Sequence, residues 1–333
     1  MPGISPDPAA PTPISKVHPV PTSRAGERLD RFLTEVERSL SRSAIQQLID
    51  AGCVRVNGSP ARASRRVRAG DVIEVTRPRR VPTLLLPEDI PLQVVYEDDS
   101  LAVIEKLAGM VVHPAAGHRT GTLVHALLHR YGALPTSSGH ERAGIVHRID
   151  KGTSGLLLVA RTEAAHRELS RQLAAREVRR VYRALVWGRM SEITGRIEAP
   201  LGRSVRDRKK FAVVARGGRF AATRYRVERA YRYLSELSLT LETGRTHQIR
   251  VHLAHLGHPV FGDPEYGGRR GPLHELPPAQ RAQAALILSD LDHQALHAER
   301  LAFRHPESGE PLEFARTVPP EFGAVLRALA CES

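Results

Sequence analysis

At 333 residues the chain is long enough for one large domain and a small one, each with a real core. Its 49 Lys and Arg against 36 Asp and Glu leave a formal charge of +13. That excess favours a polyanionic partner, nucleic acid before membrane, because no lipidation motif or basic amphipathic anchor accompanies it. Two scattered cysteines, Cys53 and Cys331, exclude a disulfide framework or a cysteine zinc site, and no apolar run reaches the length of a membrane span or a secretory signal core. A soluble, cytoplasmic protein is expected.

Residues 1–22 carry seven prolines and few large apolar groups, so they are expected to form an unstructured tail. A compact module is expected over 23–80. Leu29, Phe32, Leu33, Val36 and Leu40 recur at helical spacing, giving one amphipathic helix. Ser41 or Ser43 can cap a second helix through Ile45, Leu48 and Ile49, with Gly52 placed as its C′ residue. Val54-Arg55-Val56 then alternates into Asn57-Gly58, a strong hairpin signal, and Gly70-Asp71 turns into the strand Val72 to Val75. The surface is rich in arginine: Arg42, Arg55, Arg62, Arg65, Arg66 and Arg68. By themselves these could be a solvated charged face. The string RLDRFL…SRSAIQQLIDAGCVRVNG…VRAGDVIEV, however, resembles the S4 RNA-binding domain over nearly its whole length. The resemblance implies a helix pair that docks on structured RNA through phosphates. Val81 to Pro91, with three prolines, is expected to be a linker.

A second domain is expected over 92–325. It opens with a strand pair, Leu92 to Tyr96 and Leu101 to Ile104, followed by GMVVHP and a helix from Thr122 to His129. Val146 to Arg161, VHRIDKGTSGLLLVAR, presents a carboxylate among basic side chains beside a glycine-containing turn, then a short apolar strand. Further on come a helix over Glu163 to Glu177 with Thr162 as cap, and strands over Arg179 to Gly188, Ala221 to Glu228 and Leu234 to Glu242. Ile249, Leu253 and Leu256 mark another helix that Gly257 ends. Residues 268–285 carry prolines and arginines and suggest an exposed insertion, and strands over Gln294 to Phe303 and Leu312 to Phe314 close the fold. No fixed-period repeat is evident, and strands outnumber helices without βαβ regularity. The expectation is α+β with a mixed, largely antiparallel sheet.

Four strings, in order, resemble the RluA-type RNA pseudouridine synthases with an N-terminal S4 domain: the loop ending VVHP, HRIDKGTSGLLLVAR, RRVYRALVWG, and ETGRTHQIRVHLAHLGHPVFGDPEYGG. LDHQALHAERLAF extends the likeness to about residue 322, and the strings are nearest the group that acts on the large ribosomal subunit. Three departures stand out. Glu105 and Leu107 replace the Asn and Pro of the family string NKPxGLxVHP, and Ile149 replaces the usual Leu, a volume-conserving change.

The resemblance implies isomerisation of uridine to pseudouridine within RNA, with no cofactor and no metal. It makes Asp150 the catalytic carboxylate, whose chemistry suits an electron-deficient anomeric carbon. Whether it attacks the sugar, attacks the ring or assists through a glycal stays open. Arg250 matches the basic partner that keeps Asp150 ionised. Tyr182 matches the active-site tyrosine, which stacks on the uracil and can move a proton; without the resemblance it is an ordinary core strand tyrosine. Arg148 matches the arginine that takes the place of the extruded nucleotide, and Ile249 lines the uracil pocket. His147, Thr153 and Gly155 shape the loop, with His147 at the substrate's edge. The partner implied is structured RNA, large-subunit ribosomal RNA or a pre-ribosomal particle, with a monomer as the default.

Two rival readings remain. His247, His252, His255 and His258 could ligate a metal for RNA hydrolysis, although no matched carboxylate or cysteine accompanies them. The S4 module could also belong to a non-catalytic RNA-binding or ribosome-assembly factor, which the set Asp150, Tyr182 and Arg250 argues against.

Overall fold

The computed structural model describes residues 14–37, 40, 42–77, 85–115 and 117–330. They form two compact units, one up to residue 83 and one from 84. No helix among the described residues is long and apolar enough to cross a membrane.

The first unit contains β1 (Ile14–Pro19), α1 (Leu29–Val36), α2 (Arg42–Asp50), β2 (Val54–Val56), β3 (Ser59–Pro60) and β4 (Val72–Arg77). The strands make one sheet in the order β1-β4-β2-β3. Asn57 and Gly58 both take positive φ, 50° and 76°, as a two-residue hairpin turn matching strand twist demands. Leu29, Phe32, Leu33, Ile45, Val54, Val56, Ile73 and Val75 are buried in one cluster. The expected helix through Leu40 ends at Val36, although Leu40 still packs on that cluster. Ser41 and the side chain of Ser43, the expected caps, lie outside the described residues.

The expected tail over 1–22 is contradicted at its C-terminal end. Residues 14–19 pair antiparallel with β4 as an edge strand, where a terminal proline forfeits no ladder bond. Val20 is buried behind it, and His18 meets Glu37 at 2.8 Å. Residues 1–13 lie outside the described residues. So do 81–84 of the expected linker, whereas Leu85 already packs on the core of the second unit and Glu88 accepts from the Gly121 amide.

The second unit runs through β5 (Gln93–Glu97), β6 (Leu101–Lys106), α3 (Leu123–Tyr131), β7 (Ser154–Ala160), α4 (Glu163–Ala174), β8 (Arg179–Trp187), β9 (Thr194–Glu198), β10 (Leu201–Arg203), β11 (Phe211–Val213), β12 (Ala222–Ala230), β13 (Leu234–Leu241), α5 (Gln248–His255), α6 (Pro278–Ser289), β14 (Leu296–Arg304), β15 (Pro311–Ala315) and α7 (Pro320–Ala330). Nine strands join in the order β5-β6-β7-β14-β8-β13-β12-β9, with β15 beside β14 and β10-β11 as a separate hairpin. Every pairing in the large sheet is antiparallel except β7 with β14. The architecture is therefore α+β, mixed and largely antiparallel, as expected.

Alternation along the strands assigns the two faces. Leu157, Val159, Tyr182, Ala184, Val186, Leu237 and Leu239 pack with α3 and α5. Leu156, Leu158 and Ala160 pack with α4, while Leu185, Trp187 and Leu234 pack with α6 and α7.

The expected insertion over 268–285 is thus corrected. Its second half is α6, started by a proline in its first turn, and Ala284, Ile287 and Leu288 bury one stripe against Trp187, Phe261 and Phe322. The fold closes not on strand β15 but on α7, which runs past the expected boundary at 325 and buries Phe322, Val325 and Leu329.

Candidate active site

The turn between Ile145 and β7 carries His147, Arg148, Ile149 and Asp150. Three anchors fix it. The His147 ring accepts the Leu158 amide through Nε2 at 3.0 Å, Ile149 is buried in the core, and the Thr153 amide donates to the Asp150 carbonyl at 3.0 Å. Gly155 is required where β7 meets β14: it takes φ +109°, and a Cβ there would stand 2.4 Å from the Ala298 carbonyl oxygen.

A fourth anchor escaped the sequence reading. Lys106, 1% exposed, donates its ammonium to the carbonyls of Leu107, Met110 and Lys151 at 2.8, 2.9 and 3.2 Å. Burial pushes its pKa down to about 7, opposed by the charge of Asp150. The signal was present in the string EKLAG, where the lysine survives between two departures from the family motif.

Asp150 sits at the floor of a cleft of about 430 Å³. Its Oδ2 accepts from Arg250 Nη1 at 3.1 Å, and its Oδ1 faces His247 Nε2 at 3.8 Å. Arg250, on the first turn of α5, is buried and held on its other edge by Asp263, with Nε to Oδ2 at 2.7 Å and Nη2 to Oδ1 at 2.9 Å, and by Glu265 at 3.0 Å. Burial alone would lower the guanidinium's pKa; Asp263 and then Asp150 reverse that and raise it well above its ordinary value. Asp263 also accepts the amides of Glu265 and Tyr266, so it is saturated. The arrangement presents one clamped carboxylate to the cleft with an oxygen still open.

Tyr182 and Ile249 are buried and line the same cleft, and burial raises the Tyr182 hydroxyl's pKa. Arg148 is exposed at its mouth, with Nη1 3.5 Å from His113 Nε2. All six residues expected at the site therefore meet in one place. Four more cationic or histidine side chains line it that the sequence reading did not single out, Arg142, Arg180, Arg245 and His113, while Asp150 is the one acidic lining residue. Such a lining is electrostatically suited to a polyanion and leaves one carboxylate at its base.

The four histidines of the metal reading do not converge. His252 is buried against Thr223 and the Ala199 carbonyl, His258 contacts the Trp187 carbonyl, and His255 is exposed. His247, in the left-handed region at φ 56°, contacts Tyr266 Oη at 2.7 Å.

In the first unit, Arg42 is held by buried Asp30 and Arg65 lies 3.6 Å from Asp71. Arg66 and Arg55, both exposed, donate to the Gly26 and Gly58 carbonyls at 2.7 and 3.4 Å, and Arg62 is exposed.

The chain matches the family model for RNA pseudouridylate synthase over residues 100–255, a span that contains Asp150, Tyr182 and Arg250, and the S4 domain model over 27–73. It is 50% identical over 310 residues to an uncharacterised RNA pseudouridine synthase of Chloroflexus aurantiacus, covering 93% of this chain and 92% of that one. It is 45% identical over 314 residues to the ribosomal large subunit pseudouridine synthase D of Xanthomonas campestris pv. campestris, covering 94% and 92%. Among solved structures it is similar to human RNA pseudouridylate synthase domain containing 1, with TM-score 0.52 and 25% identity over 73% of this chain and 96% of that one. The fold likeness extends to the human domain containing 4 protein, with TM-score 0.55, 24% identity and coverage of 72% and 93%.

Proposed function

The chain belongs to the RNA pseudouridine synthase family, and from that premise we propose that it isomerises specific uridines in large-subunit (23S) ribosomal RNA, with Asp150 as the reacting carboxylate and no cofactor. The observation that carries the reading is the clamped, half-open carboxylate of Asp150 at the floor of a cation-lined cleft beside Tyr182. The ribosomal target rests on the names of relatives such as the Xanthomonas campestris enzyme and on the S4 match.

The reaction breaks the N1–C1′ bond, turns the uracil within the cleft and joins C5 to C1′, with the proton on C5 exchanged for one on N1. A carboxylate at C1′ stabilises the electron-poor sugar, and no water has to be activated. Arg250 orients Asp150 and balances its charge in a desolvated site. Tyr182 and Ile249 form the walls that hold the base, and Arg148 at the mouth fills the gap left in the RNA when the nucleotide is extruded. His147 lies at the edge of the same pocket. The region 23–80 supplies RNA docking through Arg55, Arg62 and Arg66 and, to a lesser extent, Arg42 and Arg65, while 92–325 with the remainder of α7 carries the chemistry. The enzyme acts as a cytoplasmic monomer on free ribosomal RNA or an assembling subunit.

The test uses purified protein, a labelled large-subunit RNA transcript and no added metal or cofactor, with Asp150→Ala beside the parent. Pseudouridine from the parent alone supports the reading. Turnover by Asp150→Ala removes Asp150 from its role, and binding without pseudouridine in the parent favours a non-catalytic assembly factor.

A further inference from the structure

Three side-chain nitrogens lining the Asp150 cleft are sealed from solvent and have no hydrogen-bond partner among the described residues: His113 Nδ1, His147 Nδ1 and Arg180 Nε. Native proteins leave few buried polar atoms unmatched, and each such atom calls for an explanation, a bound ligand among them. Two of the three can be assigned as donors. The Arg180 guanidinium is always protonated, so its Nε carries hydrogen. His147 accepts the Leu158 amide through Nε2, and burial, with the nearby Arg180 charge, pushes its pKa down to about 3. The ring is therefore neutral and its one proton sits on Nδ1.

Arg180 is placed for more than packing. It precedes Tyr182 by two residues on β8, so both side chains leave the same face of the strand. Its Nη1 lies over the backbone of Gly244, where a Cβ would come within 3.0 Å. No carboxylate pairs with it among the described residues, whereas Arg183, Arg196 and Arg250 each hold one. The cleft thus contains a cation that no carboxylate among the described residues pairs.

The reaction creates an acceptor for that cation. When N1–C1′ breaks, the bonding electron pair leaves with the base, and the uracil anion spreads its charge onto the carbonyl oxygens. The same pair is returned as C5 joins C1′, C5 loses its proton and N1 gains one, so no external oxidant or reductant enters. We propose that Arg180 is the leaving-group site of this enzyme, its half-exposed guanidinium donating to a uracil carbonyl oxygen as it becomes negative. Donors fixed in place before charge develops, in a site from which water is excluded, stabilise the transition state more than the ground state. This inference rests on Asp150 being the reacting carboxylate.

The experiment measures single-turnover pseudouridine formation at saturating protein, together with the Kd for the same large-subunit transcript across salt concentrations. Arg180→Leu is expected to slow the saturated rate by about 10²–10³-fold, with Kd within about twofold and an unchanged salt slope. Arg180→Lys, which keeps the charge, is expected to recover about tenfold of that loss. A full rate for Arg180→Leu overturns the proposal. So does a weakened Kd with a shallower salt slope and a normal saturated rate, which makes Arg180 a phosphate contact instead. If Arg180→Leu does not fold, Arg180→Gln carries the test with the same two overturning results. Asp150→Ala separates the two claims: inactive Asp150→Ala beside a full-rate Arg180→Leu sinks only this inference, while active Asp150→Ala sinks the reading beneath it.

Discussion

Each unit of the molecule holds an aspartate gripped by arginine, and the two differ in what is left over. Asp30 in α1 is fully buried and accepts from Arg28, Arg42 and Gln46. Its pKa is held far below the usual carboxylate range, by Arg28 first and with Arg42 and Gln46 adding against burial. Asp150 takes a single side-chain hydrogen bond among the described residues, from Arg250, with its Oδ1 3.8 Å from His247 Nε2. The same pair of residue types thus makes a strut in one place and, on the proposed function, a reagent in the other. What separates them is the count of donors. Arg250 makes the contrast inside one site, because it gives two bonds to Asp263, which two backbone amides also fill, and one to Asp150.

The largest effect follows from exchanging the two acids for amides. Asp150→Asn keeps shape but removes the charge, and pseudouridine formation is expected to fall by about 10⁴-fold or more with little change in thermal midpoint. Asp263→Ala should do both kinds of damage. It removes two of the bonds that hold a buried guanidinium, leaving those to Asp150 and Glu265, at about 3 kcal/mol of stability, and it frees Arg250 to turn away from Asp150. A denaturant melt with the same free energy as the parent would show that Asp263 does not clamp Arg250.

Asp30→Asn is the converse: lower stability in the first unit, by about 2–3 kcal/mol, with the isomerisation rate at saturating RNA intact. Because the folded pKa of Asp30 is depressed, its contribution is present above the unfolded value near 3.8 and is lost as pH falls through the folded value. The parent should therefore lose stability on acidification below about pH 4 more steeply than Asp30→Asn, as followed by melts between pH 2 and 7. Parallel curves would remove Asp30 from the role of strut.

The contrast between strut and reagent was only half visible in the sequence. The turn that carries Asp150 is legible because its residues are contiguous: HRID, a glycine turn and then LLLVA, which becomes a wholly buried β7. Asp263 was not, since no local period ties the string GDPEY to Arg250; the pairing exists only once the chain folds back after α5. Arg180 was within reach, because alternation along RRVY already puts it on the face of Tyr182, but an unmatched Nε is a property of the packed cleft. β1 was lost for the same kind of reason. Its proline-rich surroundings suggest a tail, and what makes it a strand is the edge of β4, far along the chain. The S4-type arginines form one group by sequence, and packing divides them.

That division gives the smallest and most discriminating prediction. Arg42 is half-exposed but directs Nε and Nη2 at Asp30, at 3.1 and 2.8 Å. Arg62 is exposed and has no side-chain hydrogen bond or ion pair among the described residues. An arginine already committed to a buried carboxylate has less of its fork to offer a phosphate, whereas an uncommitted one can release a counterion on binding RNA. Arg62→Ala is expected to weaken RNA binding and reduce the slope of log Kd against log salt by about one, with the thermal midpoint unchanged. Arg42→Ala should lower the midpoint, by less than Asp30→Asn because Arg28 and Gln46 remain, and leave the salt slope nearly as it was. If the slope responds to Arg42 and not to Arg62, the helix pair of the first unit meets RNA through its struts, and the distinction between the two kinds of arginine–aspartate pair fails there.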